Sequence, residues 1–175
     1  VGGNTDNSAT PPAAEDWGFL ELENSGNLID YVEVRYATYG IYAYACDPTI
    51  QNCKFSHNKY PLMLANAYPA LAGNTLDANT YDATALSNNW ARNGTLDIDG
   101  SPYVNPSGWV ISSQATCVLP AGCIVKALKY ANLDVYGILD VQGTAGNPVI
   151  FTSIHDDVGG NTDNSATPPA AEDWG

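Results

Sequence analysis

Basic residues are scarce in this 175-residue chain, which has 6 lysines and arginines against 19 aspartates and glutamates. Nucleic acid is therefore not an expected partner, because contacts to its phosphates require lysine and arginine side chains. The formal net charge is −13 at pH 7. Such a surface favours cations as ligands.

Long apolar runs are also missing. No run approaches the ~20 apolar residues that a membrane-spanning helix needs, and no basic segment followed by an apolar one begins the chain. We expect no membrane span in this segment. The lack of a signal peptide decides little, since a segment from inside an array of repeats would not carry one.

Residues that favour helices, such as lysine, glutamate and arginine, are few, whereas glycine, asparagine, aspartate, threonine and proline are abundant. That balance is typical of strands joined by turns. Hydrophobic residues make up 45% of the chain, as in a folded protein. The composition predicts an all-β protein with almost no α-helix.

The four cysteines form two close pairs, Cys46 with Cys53 and Cys117 with Cys123. Neither pair has the CxxC spacing of a zinc site. We predict two local disulfides, which would indicate an oxidising compartment outside the cell. Four buried free thiols are the alternative, because cysteine is often found inside proteins.

The first 18 residues recur letter for letter as the last 18, so that residues 1–18 match residues 158–175. A self-match at a fixed offset is typical of repeat proteins, and the offset here is 157 residues. We interpret residues 1–157 as one repeat and residues 158–175 as the start of the next, identical repeat. A cloning overlap is the alternative, and it too implies a periodic parent sequence.

A shorter period, of about 21 residues, lies within the first half of the repeat. Tyr39, Tyr60 and Tyr81 form one column at this spacing, and Pro48 aligns with Pro69. Each unit holds short apolar stretches of alternating character between turn residues, and it is too short for two helices. A coil of about three short strands fits, and successive coils would stack as parallel strands ~4.8 Å apart.

The second half of the repeat also alternates short apolar stretches with turn residues, at a less regular spacing. Short apolar stretches predict strands at residues 109–111, 117–119, 123–125, 133–135, 138–141 and 149–151. Residues 86–107 fit no column, so we predict an irregular excursion from the solenoid wall there. With coils of roughly 21 to 25 residues, the repeat would hold about six or seven coils and rise ~30 to 35 Å.

Several stretches resemble the right-handed parallel β-helix repeats of bacterial and archaeal secreted and surface proteins of the adhesin-like type. They are GILDVQGTAGNPVIFTSIHDD, DNSATPPAAEDWG, NLIDYVEVRYA and PTIQNCKF. The resemblance implies a right-handed parallel β-helix and an extracellular location. Phe19 stands where the family usually has the second glycine of a DWGG motif, and four cysteines are more than is usual there.

The acidic loop of residues 156–173 is the candidate metal site. Asp156, Asp157, Asn161, Asp163 and Ser165 bring oxygen atoms close together, and the alternation of the last three resembles the first half of a calcium loop. The final glycine and the bidentate glutamate of the EF-hand pattern are missing. Ca²⁺ is therefore the cofactor to test, and a solvated acidic loop without a ligand is the alternative.

The N-terminal copy of this loop carries Asn4, Asp6 and Ser8 at the matching positions. It has no equivalent of the two preceding aspartates. A calcium site in this copy would need them from a preceding repeat.

Two features of the sequence indicate contact with sugars, one as a bound glycan and one as a covalent modification. The column of Tyr39, Tyr60 and Tyr81 would offer an aromatic platform to a surface glycan, although stacked identical residues also stabilise a β-helix by themselves. Asn93 begins an N-x-T tripeptide, which makes it a candidate glycosylation site on the predicted excursion.

No catalytic residues are predicted. Secreted β-helices include polysaccharide lyases and hydrolases, whose sites need paired carboxylates, or a calcium ion with a basic residue, in one groove. No predicted strand combines its basic residues with a carboxylate pair, and His57 and His155 lie in turns. An enzyme of this kind is the minor alternative.

The open ends of a solenoid carry unpaired N–H and C=O groups that must be capped or paired. The copied segment favours pairing, so that the last coil of one unit leads into the first coil of the next. We therefore expect a structural repeat unit of an extracellular fibre, filament or stalk, whose partners are further copies placed end to end, covalently or by assembly. An adhesin or carbohydrate-binding surface module is the alternative.

Overall fold

The computed structural model describes residues 5–174, which form eighteen β-strands and no α-helix. Paired strands are parallel and belong to successive coils, so the chain is a β-solenoid of about six turns. The predicted all-β, parallel β-helix class is confirmed. Within the described residues, no helix has the length and apolar character needed to cross a bilayer.

The largest face of the solenoid contains one strand from every coil. Its strands are, in spatial order, β1 (Trp17–Leu22), β4 (Ala37–Tyr44), β7 (Tyr60–Ala65), β10 (Thr84–Trp90), β12 (Tyr103–Asn105), β15 (Ile124–Ala127) and β18 (Ile150–Ser153). The end of β10 also pairs with β13 (Trp109–Ile111), which pairs in turn with β16 (Leu133–Val135). The free edges of this main sheet are β1 at one end and β18 at the other.

Three smaller sheets form the remaining faces. In the first half they are β2 (Leu28–Asp30), β5 (Thr49–Gln51) and β8 (Ala70–Ala72), and beside them β3 (Glu33–Arg35), β6 (Lys54–Ser56) and β9 (Thr75–Asp77). In the second half a single sheet contains β11 (Gly94–Thr95), β14 (Thr116–Pro120) and β17 (Ile138–Gln142). The six stretches predicted as strands in the second half all contribute to strands.

The short period of the sequence is the length of one coil in the first half of the chain. Tyr39 pairs with Tyr60, and Phe55 lies between Val34 and Leu76 in the neighbouring coils. The coil corners repeat at the same spacing, because they use residues with positive φ angles. Three such sets are Tyr31, Asn52 and Gly73; Tyr36, His57 and Ala78; and Ala45 with Asn66. These left-handed conformations turn the chain sharply between short strands.

The interior of the solenoid is a continuous column of apolar side chains. Phe55, Ile41 and Leu64 are almost completely buried in the first half, and Trp90 and Trp109 continue the core with their ring centroids 5.5 Å apart. At one corner the amide of Asn79 donates to the carbonyl of Phe55 at 3.0 Å. Buried asparagines of this kind satisfy backbone groups that a corner leaves without a strand partner.

The predicted excursion at residues 86–107 is wrong, because this stretch belongs to the solenoid wall. It includes most of β10, all of β11 and all of β12. The spacing changes here: Leu62 pairs with Thr84, just beyond the regular interval, and Ala85 pairs with Val104, just short of it. A column at a fixed interval cannot continue through such shifts, which is why the sequence pattern is lost.

The two predicted disulfides do not form, and all four cysteines are free and buried. Strand β5 lies between Cys46 and Cys53, and the thiol of Cys46 donates instead to the carbonyl of Leu22. Burial raises the pKa of Cys117 and of Cys123 to about 12, so both thiols stay protonated at neutral pH. The argument from disulfides to an oxidising compartment therefore falls away.

Candidate functional site

The acidic loop of residues 156–173, here called the junction loop, does not project into solvent. After β18 it turns back along the outside of the main sheet, where Gly159 lies against Ile124 of β15. Further on, the carbonyl of Thr162 accepts a hydrogen bond from the amide of Asp82 at 2.7 Å. The loop then returns to β18, where the hydroxyl of Ser153 donates to Asp173 at 2.8 Å.

Under the junction loop runs a buried column of side chains on the outer face of the main sheet. In register from coil to coil, it contains Met63, Ala85, Val104 and Lys126. The outer face of a solenoid is normally exposed to water, yet these side chains are at most 4% exposed. Ile154, between β18 and the loop, packs against the same cluster.

Lys126 fixes the loop to this face. Its ammonium group is fully buried and donates to the carbonyls of Asp156 at 2.6 Å and Gly160 at 2.7 Å, and to the hydroxyl of Thr162. The three acceptors satisfy the three N–H donors of a charged ammonium group. Burial lowers the pKa of Lys126, and the carboxylates of Asp156, Asp157 and Asp163 counteract that shift.

Two further contacts hold the middle of the junction loop. The side-chain amide of Asn164 donates to the main-chain carbonyl of Asn79 at 2.9 Å and approaches the carboxylate of Asp82 at 3.3 Å. His155, which immediately precedes the loop, pairs with Asp163, with Nδ1 and Oδ2 2.6 Å apart. We call the surface formed by Asn79, Asp82, Lys126 and Ser153 the Lys126 socket.

The five residues predicted to bind calcium belong to this loop, and several of their side chains form hydrogen bonds within the chain. Asp156 accepts from the Thr152 hydroxyl and the Val158 amide, and Asp163 accepts from the Ser165 amide. Asn161 donates to the carbonyl of Ser165, and Asp157 is exposed. Within the described residues, no group of three or more histidine, cysteine or acidic side chains is arranged to hold a metal ion.

The ammonium group of Lys126 lies at the centre of the junction loop. The oxygen atoms that converge on it are the main-chain carbonyls of Asp156 and Gly160 and the Thr162 hydroxyl, and they are not the side-chain oxygens predicted to bind calcium. Calcium binding by the loop stays a prediction. The N-terminal copy's Asn4 lies outside the described residues.

Sequence reasoning did not identify the socket. Lys126 follows two apolar residues in β15 and precedes an alanine. A charged residue at an outward position of a mostly apolar strand was the signal that could have indicated a covered outer face. Asn79 lies 85 residues before Asn164 of the loop, and Asp82 lies 82 residues before it. No local pattern links residues so far apart.

The tyrosine column is present and belongs to a wider aromatic strip on the outer face of the first coils. Ring centroids of Tyr39 and Tyr60 lie 6.0 Å apart, and those of Tyr60 and Tyr81 lie 5.0 Å apart. Phe19 extends the strip at 5.3 Å from Tyr42. Tyr60 is buried, so the exposed part of the strip lies toward β1.

Asn93 is exposed between β10 and β11, and its side-chain oxygen accepts a hydrogen bond from the Thr116 amide at 2.8 Å. It lies at a coil corner and not on an excursion. Its glycosylation stays a prediction.

Comparison with known proteins adds no further assignment, because no family model, no curated protein and no solved structure matches the chain significantly. The resemblance to surface β-helix repeats thus rests on the quoted stretches of sequence alone.

Proposed function

We propose that the chain is a structural repeat unit of an extracellular fibre, filament or stalk, in which copies continue end to end. One observation carries the proposal. The second copy of the N-terminal sequence is already placed at the edge of the last coil, where Asp173 is bound to Ser153 of β18. The corresponding residue of the first copy, Asp16, immediately precedes β1.

Edge geometry supports the same proposal. The amides of Ile150 and Ile154 donate to carbonyls next to and within β15. Because successive N–H groups of a strand alternate in direction, those of Phe151 and Ser153 point toward the free edge. An open parallel edge of this kind can take a further strand.

The charged residues are used in ways that fit a structural role. Four of the six basic residues bind within the fold: Arg35 to Glu33, Lys59 to Glu15, Arg92 to Asp47, and Lys126 to the junction loop. The negative net charge would keep finished fibres apart laterally. That the chain is not an enzyme and lies outside the cell are parts of the proposal.

Edge substitutions test the proposal. Phe151→Pro removes an N–H group that faces the free edge and leaves the pairing with β15 in place, whereas Phe151→Ala keeps that group. We expect the unchanged chain and Phe151→Ala to form filaments in electron micrographs as concentration rises, and Phe151→Pro to remain monomeric. Equal assembly of all three, or of none, would contradict end-to-end continuation through β18.

A second function, glycan binding by an adhesin-like module, is favoured by the exposed end of the aromatic strip. Phe19 and Tyr44 are 44% and 48% exposed, and Tyr42 lies between them. Aromatic faces bind sugars by stacking, and an aromatic cluster on a water-exposed face is a common mark of a binding surface. Affinity electrophoresis in gels with soluble polysaccharides should then show retardation that Tyr44→Ala reduces.

A further inference from the structure

The two copies of the 18-residue segment have the same local conformation, although their surroundings differ. In each, an aspartate accepts from the amide two residues on: Ser8 to Asp6, and Ser165 to Asp163. Positive φ angles recur at matching positions, 54° at Asn7 against 55° at Asn164.

The end of the segment also has the same shape in both copies. The amide of Ala13 donates to Asp16 at 2.8 Å, and that of Ala170 donates to Asp173 at 2.7 Å. Glu15 and Glu172 have φ angles of 74° and 69°. The segment therefore folds into one shape by its own hydrogen bonds, wherever it is placed.

Only the C-terminal copy lies in the Lys126 socket. Thr162 binds Lys126 and Asp82, and Asn164 binds Asn79. Within the described residues, the equivalent Thr5 and Asn7 of the first copy have no such partners. The first copy instead contacts its own first coils, where Glu15 pairs with Lys59 at 2.8 Å.

We propose that the Lys126 socket of one chain binds residues 5–17 of a second copy, which replace the chain's own residues 162–174. This inference rests on the proposed function and names the contact that joins the copies. The incoming segment presents the same side chains in the same conformation, so Thr5 takes the place of Thr162 and Asn7 that of Asn164. Asp16 of the incoming copy then binds Ser153 of the receiving chain, and β1 of the incoming copy pairs with the free edge of β18.

The exchange gives each free end a cap. Until a second copy arrives, the chain's own C-terminal segment fills the socket and covers the apolar column beneath it. The incoming copy makes the same socket contacts and adds the pairing of β1 with β18. When a copy is added to a filament, the socket therefore exchanges the chain's own segment for the identical segment of the incoming copy, and the pairing of β1 with β18 is gained.

Matched substitutions in the two copies test the exchange on the full chain. Asn7→Asp and Asn164→Asp both add one negative charge, and each places a carboxylate against the carbonyl of Asn79 and the carboxylate of Asp82 when its copy is in the socket. We expect Asn7→Asp to weaken association on the order of tenfold, because it harms the incoming segment. Asn164→Asp should strengthen association by a similar factor, because it loosens the resident one. Sedimentation velocity over a range of concentrations measures both.

The opposite signs separate exchange from a general effect of charge or stability. If filaments form and both variants behave like the unchanged chain, or both weaken association, the exchange is wrong and the proposed function stands on edge pairing alone. If no chain associates, a fluorescent peptide with the sequence of residues 1–18 decides the matter by anisotropy. Tighter binding to the Asn164→Asp chain than to the unchanged chain, abolished in the Asn7→Asp peptide, supports the socket and overturns the fibre. A peptide that binds neither chain overturns the exchange.

Discussion

At the scale of single residues, the junction loop depends on a buried lysine that no motif indicates. Lys126 places a positive charge inside the loop, where two main-chain carbonyls and the Thr162 hydroxyl bind it. The sequence singled out this loop for its acidic side chains, whose binding of calcium stays a prediction. It could not show the lysine, because Lys126 reaches the loop only when residues 30 or more positions apart are folded together.

Replacing this lysine should loosen the loop. We expect Lys126→Met to lower the free energy of unfolding by about 2 kcal/mol, because two loop carbonyls lose their charged donor inside the protein. Urea unfolding measures the change, and hydrogen exchange should speed up at the amides of residues 158–165. Lys54→Met, at an exposed position of β6, is the control and should change stability by less than about 0.5 kcal/mol.

Acid should release the same loop. Hydrogen bonds from the Thr152 hydroxyl and the Val158 amide hold the pKa of Asp156 below its ordinary value of 3.8. A carboxylate whose pKa is lower in the folded chain stabilises the fold at pH values above its pKa in the unfolded chain. That contribution is lost as the pH falls through its pKa in the folded chain. Limited proteolysis by an acid-active protease should cut residues 158–172 more readily below pH 3.8 than just above it. A cutting rate that is the same at both pH values, after correction with an unstructured peptide, would contradict this role of Asp156.

The cysteines provide a third test at this scale. Four free, buried thiols should react with an alkylating reagent only after unfolding, because burial keeps the reagent from all four and also raises the pKa of Cys46, Cys117 and Cys123. Intact mass should show no adduct on the native chain and four on the chain unfolded without reductant. A chain that takes up adducts only after reduction contains disulfides and contradicts the structure.

At the scale of strands and coils, the sequence predicted most of what the structure shows. The regular tyrosine column of the first half identified Tyr60 as the stacking partner of Tyr39 from the sequence alone. The pattern failed where the length of the coils changed, at β10 and β12. A single extra residue at a corner shifts every later column, although the strands still pair.

The interior columns should carry most of the stability. Phe55→Ala removes a fully buried ring between Val34 and Leu76, and we expect the free energy of unfolding to fall by about 3 to 5 kcal/mol. Phe19→Ala removes the same atoms from an outer, 44% exposed position of β1 and should cost about 1 kcal/mol or less. Similar losses for both, measured by urea unfolding, would mean that the interior is not the main source of stability.

At the scale of the whole molecule, the main sheet has two free edges, and the same 18-residue sequence stands at both ends of the chain. The structure gives this repetition a physical meaning, since one copy leads into β1 and the other is held on β18 through Ser153. The long repeat of the sequence corresponds to the seven strands of the main sheet, from β1 to β18. A further copy would therefore begin its first strand where the eighth is due.

The most direct test of end-to-end continuation is the axial repeat of filaments, measured by electron cryomicroscopy or fibre diffraction. Seven strands at a spacing of ~4.8 Å predict a rise of ~34 Å per copy, with the strands perpendicular to the filament axis and no break in spacing between copies. Filaments whose solenoid axes lie across the filament axis, or whose rise per copy differs clearly from this value, would contradict the account.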